Sequence, residues 1–71
     1  MVIMWTVYHR PKDHPDARWV ARRFEVTNVV KPTNDMFVAD SLNELRILLP
    51  RGLHCMPRQP DDDPTIVEVW L

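Results

Sequence analysis

The sequence predicts a small α+β domain in which a mostly antiparallel sheet of three to four strands packs against one short helix. The predicted order is β-β-(β)-α-β. Three observations lead to it: segments rich in β-branched and aromatic residues, one leucine stripe at helical spacing, and prolines between these segments. The chain has 71 residues, of which 45% are hydrophobic and 27% are charged. This favours one globular domain over residues 1–71.

The first and last strands are the clearest. Residues 2–8 are mostly β-branched or aromatic, and Ile3, Trp5 and Val7 would share one face of the strand. The opposite face is also fairly apolar, so we expect this strand in the middle of the sheet. Residues 65–71 are similarly rich in β-branched residues and predict the C-terminal strand, which we expect at an edge of the sheet.

The segment between the first strand and the helix contains one further clear strand and two short ones. Residues 19–27 predict the second strand. Its apolar positions share a face with Arg22 unless a bulge near Arg22 and Arg23 shifts the register. Residues 29–30 and 36–38 are shorter β-like pieces.

One helix is predicted after these strands. Ser41 and Glu44 fit a capping box, in which the serine accepts a hydrogen bond from the third helical amide. Pro50 prevents continuation, and Gly52 can take the positive φ that ends a helix. The apolar stripe consists of Leu42, Leu45, Leu48 and Leu49. A helix of about two to three turns is too short to be stable alone, so we expect it to pack on the sheet.

Polar, proline-bounded stretches separate these elements. We expect loops over residues 10–16, 32–35 and 57–64. The net charge is −1, so the overall basicity typical of nucleic-acid-binding domains is missing. The single cysteine, Cys55, fits a reducing cytosol, and the N-terminus has neither the basic segment nor the cleavage site of a signal peptide. We therefore expect a cytoplasmic protein without a membrane span.

An apolar interaction surface is expected where the helix does not cover the sheet. One short helix covers a single face, and an exposed apolar patch usually marks an interface. We expect an accessory or interaction protein that binds another macromolecule, first a second copy of itself as a homodimer. The contact would use the uncovered face or the C-terminal edge strand. Tryptophan and arginine are enriched at interface hot spots, and the candidate contact residues are Trp5, Trp19, Arg22, Arg23 and Trp70.

Binding of single-stranded nucleic acid is the alternative function. Residues 1–23 carry a net charge of +3 and contain aromatic residues among the basic ones. Arginines that neutralise phosphates, beside rings that stack on bases, are typical of such surfaces. The phosphate contacts would come from Arg18, Arg22 and Arg23. The last eleven residues carry −4, so the two ends could also complement each other within the fold or between subunits.

No catalytic, cofactor-binding or metal site is expected. His9, His14, His54 and Cys55 have the chemistry of ligands or catalytic groups, but none of their spacings matches a zinc motif. The aspartates at 61–63 lack the alternation and the glycine of a calcium loop. No glycine elbow or oxyanion-hole pattern surrounds Cys55, and a chain of this size leaves little room for a substrate pocket. We therefore do not expect an enzyme.

Four stretches of the chain resemble short proteins of bacteria and their prophages. They are residues 5–16, 19–23, 40–50 and 63–70. No activity is assigned to the proteins of that group. The resemblance therefore implies a bacterial or phage-derived, cytoplasmic context and no functional residue.

Overall fold

A computed structural model describes residues 1–60 and 64–71. These residues form five strands and one helix, namely β1 Val2–His9, β2 Trp19–Val26, β3 Val30–Ala39, α1 Leu42–Leu48, β4 Cys55–Pro57 and β5 Ile66–Trp70. The α+β class is therefore confirmed. Nowhere in the described ranges is a helix long and apolar enough to cross a membrane.

The strands form one antiparallel sheet in the order β3-β2-β1-β5-β4. β1 lies in the middle, as its two apolar faces predicted. The prediction of three to four strands is wrong, because the described residues include β4, which is too short to show a periodic pattern. β5 lies between β1 and β4. The expectation that two copies pair through the C-terminal strand as an edge is therefore also wrong, because β1 and β4 occupy the two sides of β5.

β3 joins the two short predicted pieces into one strand at the edge of the sheet. The loop expected at residues 32–35 is wrong, because Pro32 continues the ladder and the Thr33 hydroxyl donates to the Arg23 carbonyl over 2.9 Å. Proline is tolerated there because an edge strand has one side without ladder hydrogen bonds. The β1–β2 ladder has no register shift, so Arg22 shares a face with Val20, Phe24 and Val26, and the alternative of a bulge that separates them is wrong. A register shift occurs instead in the β2–β3 ladder, where one residue of β2 lies opposite three residues of β3.

α1 begins and ends where the sequence predicts. Ser41 has an extended backbone, and its Oγ accepts a hydrogen bond from the Glu44 N–H at 3.2 Å. Leu49 closes the last turn with its own backbone N–H, and Pro50 follows. Gly52 takes a φ of +86° in the turn after the helix, a conformation that glycine adopts without strain.

The hydrophobic core lies between α1 and one face of the sheet. Leu45 and Leu49 of the helix pack against Trp5, Val7 and Ala21 of the central strands. Because α1 has only seven residues, it covers only part of this face. The packing of the leucine stripe on the sheet is thus confirmed for Leu42, Leu45 and Leu49, whereas Leu48 is exposed.

One end of the helix-covered face carries charged side chains. Arg23 donates to Glu25 at 3.5 Å and to Asp35 at 3.3 Å, and Lys31 lies opposite Glu25 in the β2–β3 ladder. Charged side chains tolerate contact with water. This end of the face therefore needs no covering element.

The β1–β2 loop reaches the other face of the sheet. It is closed by a hydrogen bond from the Arg10 N–H to the Arg18 carbonyl at 2.8 Å. From this loop Asp13 accepts a hydrogen bond from the Arg22 guanidinium at 3.4 Å. The loop covers one end of this face, where Val20 is fully buried.

Candidate interaction surface

The face of the sheet away from α1 is termed the open face. The ladder registers define its members, because side chains alternate along a strand and cross-strand partners share a face. They are Val2, Met4, Thr6 and Tyr8 of β1, Val20, Arg22, Phe24 and Val26 of β2, Val30, Pro32, Met36 and Val38 of β3, Met56 of β4, and Ile66 and Val69 of β5.

The open face is apolar, exposed and almost uncharged. Of the described strand residues on it, Arg22 alone carries a charge, and Asp13 of the same chain pairs with it at 3.4 Å. The open-face residues with large exposed apolar side chains are Val2, Val30, Met36, Val38 and Met56. Several exposed apolar side chains on one face of a sheet are characteristic of an interaction site.

Trp5 lies in the core and not at the surface. It is 5% exposed, and its ring stacks on Phe37 with the centroids 5.0 Å apart. The expectation that Trp5 contacts a partner is therefore wrong. Because both faces of β1 are apolar, the sequence could not show which of them the helix covers.

Trp19 and Trp70 are half-buried on the helix side of the sheet. Both pack against the core cluster. Trp19 stacks on His9 of the neighbouring strand with the ring centroids 4.2 Å apart, and Trp70 pairs with Trp5 across the β1–β5 ladder. Neither ring belongs to the open face, and contact of either with a partner stays a prediction.

The three arginines that the sequence singled out, Arg18, Arg22 and Arg23, do not lie together on one surface. Arg22 and Arg23 are neighbours in β2 and therefore point to opposite faces of the sheet. Carboxylates pair with both of them, and Arg18 precedes the strand and is exposed. The three residues proposed for nucleic-acid binding thus do not form one surface, whereas Arg22 belongs to the open face.

A buried carboxylate links α1 to the sheet. The Glu68 side chain is 6% exposed and accepts two hydrogen bonds from the Arg46 guanidinium, each at 2.9 Å. The Cys55 thiol donates a third at 3.1 Å. Arg46 and Cys55 lie 22 and 13 residues from Glu68 in the sequence. No local pattern could therefore have predicted this cluster.

The pKa values in this cluster are shifted by burial and by hydrogen bonds. Burial alone would raise the pKa of Glu68, but the hydrogen bonds from Arg46 and Cys55 outweigh it and hold that pKa below its usual value. The Trp70 indole adds to the lowering, although its Nε1 makes no hydrogen bond of good geometry within the described residues.

The Cys55 thiol is a poor nucleophile in this environment. Partial desolvation of the sulfur, and then the hydrogen bond to Glu68, raise the pKa of Cys55. The thiolate is the nucleophilic form of cysteine, and these contacts disfavour it. The cluster around Glu68 connects α1 to β4 and β5.

The histidines lie apart from one another. His9 stacks on a tryptophan ring, His14 lies beside an aspartate, and His54 exchanges backbone hydrogen bonds with the C-terminal residue. The described part of the chain contains no group of three or more His, Cys, Asp or Glu side chains that could hold a metal ion. The aspartates at 61–63, and their part of the predicted loop, lie outside the described residues.

Comparison with known proteins adds no family. The chain matches no protein-family model, and neither a curated protein nor a solved structure is similar enough to count as a match. The resemblance to bacterial and prophage proteins therefore stays a prediction.

Proposed function

We propose that this protein is a small interaction protein that forms a homodimer by packing two open faces against each other. One observation carries the proposal. The open face has exposed apolar side chains, and its one charged strand residue in the described chain, Arg22, is neutralised by Asp13. Burial of apolar surface is the dominant favourable contribution to protein association. Covering the open face would therefore be strongly favourable.

A second copy of the chain fits this face. In a two-fold symmetric contact each surface meets itself, so any uncompensated charge meets its own kind. The open face avoids this repulsion because Asp13 neutralises Arg22 within one chain. Two apolar sheet faces can pack about 10 Å apart with interdigitated side chains. This contact also places Arg22, one of the predicted contact residues, at the interface.

The dimensions of the open face suit a dimer. The sheet has five strands, and β1 has eight residues. Five adjacent strands span about 19 Å, and a strand of eight residues extends about 26 Å. A standard interface buries about 800 Å² per partner, about one sixth of the 5138 Å² accessible surface of this chain. The open face outside the β1–β2 loop is the apolar surface that this contact would bury.

We also propose a cytoplasmic location and a bacterial or prophage origin. A lone thiol, Cys55, supports a reducing compartment, because disulfides form and persist in oxidising ones. Fractionation of the host cells tests the location, and recovery in the membrane or periplasm would contradict it. Inspection of the neighbouring genes tests the origin, and a purely metabolic operon would argue against a phage.

A matched pair of lysine substitutions tests the dimer. Val2→Lys places a charge on the open face, and Ile47→Lys places one on the exposed outer side of α1; both side chains are exposed. We expect Val2→Lys to raise the dimer dissociation constant at least about tenfold, since a buried unpaired charge is costly. Ile47→Lys should leave the constant unchanged.

Sedimentation velocity on both variants and on the natural chain gives these constants. Circular dichroism and the melting temperature control for loss of fold in either variant. Equal weakening by the two substitutions, or a natural chain that stays monomeric at millimolar concentration, would overturn the proposal.

A further inference from the structure

A different surface, the outer edge of β3, is open for strand pairing over a short stretch. β3 is the first strand of the sheet, so its outer backbone groups have no strand partner within the described chain. The first half of this edge is interrupted by Lys31, Pro32 and the bulge after them. A lysine, a proline and a bulge are usual features that prevent unwanted strand pairing. Residues 36–39 continue regularly to the end of the strand. They form a free edge that none of these features blocks.

α1 provides an apolar wall beside this edge. Val38 and Ala39 of the edge, together with Ile47 and Leu48 of the helix, line a groove of about 440 Å³. Ile47 is 81% exposed and Leu48 is 46% exposed. The helix contributes Leu45 and Leu49 to the buried core without them. Packing of the chain itself therefore does not explain the two apolar side chains that border the groove.

The same groove carries two carboxylates. Asp40 and Glu44 line it, both are exposed, and neither takes part in a salt bridge within the described residues. The groove thus combines an apolar wall, a free strand edge and uncompensated negative charge.

We propose that this groove binds an extended segment of another protein, in which apolar side chains alternate and a lysine or arginine follows them. The segment adds to the sheet as a strand beside residues 36–39, which supplies main-chain hydrogen bonds. Its apolar side chains pack on Ile47 and Leu48, and its basic group meets Asp40 and Glu44. This site shares Met36 and Val38 with the open face, but Asp40, Glu44, Ile47 and Leu48 lie outside that face, and the proposal does not depend on the homodimer.

Charge decides between such a segment and a second copy of the chain. Antiparallel pairing of two copies about a two-fold axis between residues 37 and 38 would place Asp40 of each chain opposite Asp35 of the other. Two pairs of carboxylates would then face each other, and like charges across an interface oppose association. A basic segment instead compensates the charge of Asp40.

Two short peptides serve as probes: acetyl-Lys-Val-Thr-Val-Lys-amide and its counterpart with glutamate in place of both lysines. Titration into the 15N-labelled full chain should shift the amide signals of residues 36–39 and of Ile47 and Leu48. At low salt the basic peptide should bind about tenfold more tightly than the acidic one, since two ion pairs distinguish them.

A charge-neutralised variant tests the role of the carboxylates. The double substitution Asp40→Asn and Glu44→Gln should reduce the preference for the basic peptide to about twofold or less. The control Glu25→Gln, which removes a carboxylate at the opposite end of the β2–β3 ladder, should leave the preference unchanged.

Three results would overturn the proposal. They are the absence of signal shifts with both peptides, shifts confined to β1 and β2, and equal affinity of the two peptides for the natural chain. The proposed dimer would itself cover Met36 and Val38, so hydrogen exchange without peptide is measured in the Val2→Lys variant. Concentration-dependent protection of residues 36–39 that persists in this variant would also overturn the proposal, because a second copy would then occupy the edge.

Discussion

At the scale of single residues, Glu68 and Arg46 are unequal partners. The Glu68 side chain is 6% exposed and that of Arg46 is 42% exposed, so removal of the arginine leaves a buried charge whereas removal of the carboxylate leaves a solvated one. We expect Arg46→Met to lower the free energy of unfolding by about 2–3 kcal/mol. This loss is smaller than that expected for a fully buried ion pair, because Arg46 contacts water. Glu68→Gln should cost about 1 kcal/mol.

Urea unfolding of the two variants measures this difference. A Glu68→Gln variant that is less stable than Arg46→Met would contradict the finding that Glu68 is buried and Arg46 is partly exposed. Arg51→Met, which alters an exposed arginine in the turn after α1, is the control and should change stability little.

The same carboxylate predicts how stability depends on pH. The pKa of Glu68 is lower in the folded chain than its usual value, so the unfolded chain binds the proton more readily. Its contribution is complete above the ordinary glutamate pKa of about 4.3 and is lost as the pH falls through the lower folded value. Urea unfolding between pH 3 and 7 should show a smaller loss in Glu68→Gln. An identical pH profile in both proteins would contradict this.

At the scale of elements, the N-terminal cap holds α1 in place. Ser41 Oγ accepts a hydrogen bond from the Glu44 N–H at 3.2 Å, and a helix this short has little stability of its own. Ser41→Ala should lower the free energy of unfolding by about 1 kcal/mol. Asn43→Ala, an exposed position inside the helix, is the control and should be neutral or slightly stabilising. Equal urea midpoints for Ser41→Ala and the natural chain would refute the role of the cap.

Most elements could be predicted from local patterns, and the misses have physical reasons. β1, β2, β5 and α1 each contain enough residues to show an apolar period, a composition or a cap. β4 has three residues and forms because β5 offers it an edge, which is a tertiary effect. Pro32 suggested a loop because the sequence does not show that its strand lies at the edge of the sheet, where proline is tolerated.

At the scale of the whole molecule, the candidate surface was predicted in kind but not in detail. An uncovered apolar sheet face follows from one helix and one sheet. Which residues form it depends on which face of β1 the helix covers, and that choice placed Trp5 in the core and Met4 on the open face. The link between Glu68 and Arg46 was beyond local patterns because it joins distant parts of the chain.

The nearly uncharged open face also predicts how the proposed dimer responds to salt. Apolar contacts are not screened by ions, whereas interfaces built on charge pairs weaken when salt is added. The dimer dissociation constant should change less than about twofold between low and high sodium chloride. Sedimentation velocity at both salt concentrations measures it. Dissociation at high salt would instead support pairing between the basic and acidic ends of two chains.

Isotope-filtered nuclear Overhauser spectroscopy tests the central claim most directly. A sample that mixes labelled and unlabelled chains reveals contacts between copies only. We predict intermolecular contacts among the methyl groups of Val2, Met4, Met36 and Met56, all on the open face. Contacts confined to Ile47 and Leu48, or none at millimolar concentration, would contradict dimerisation through that face.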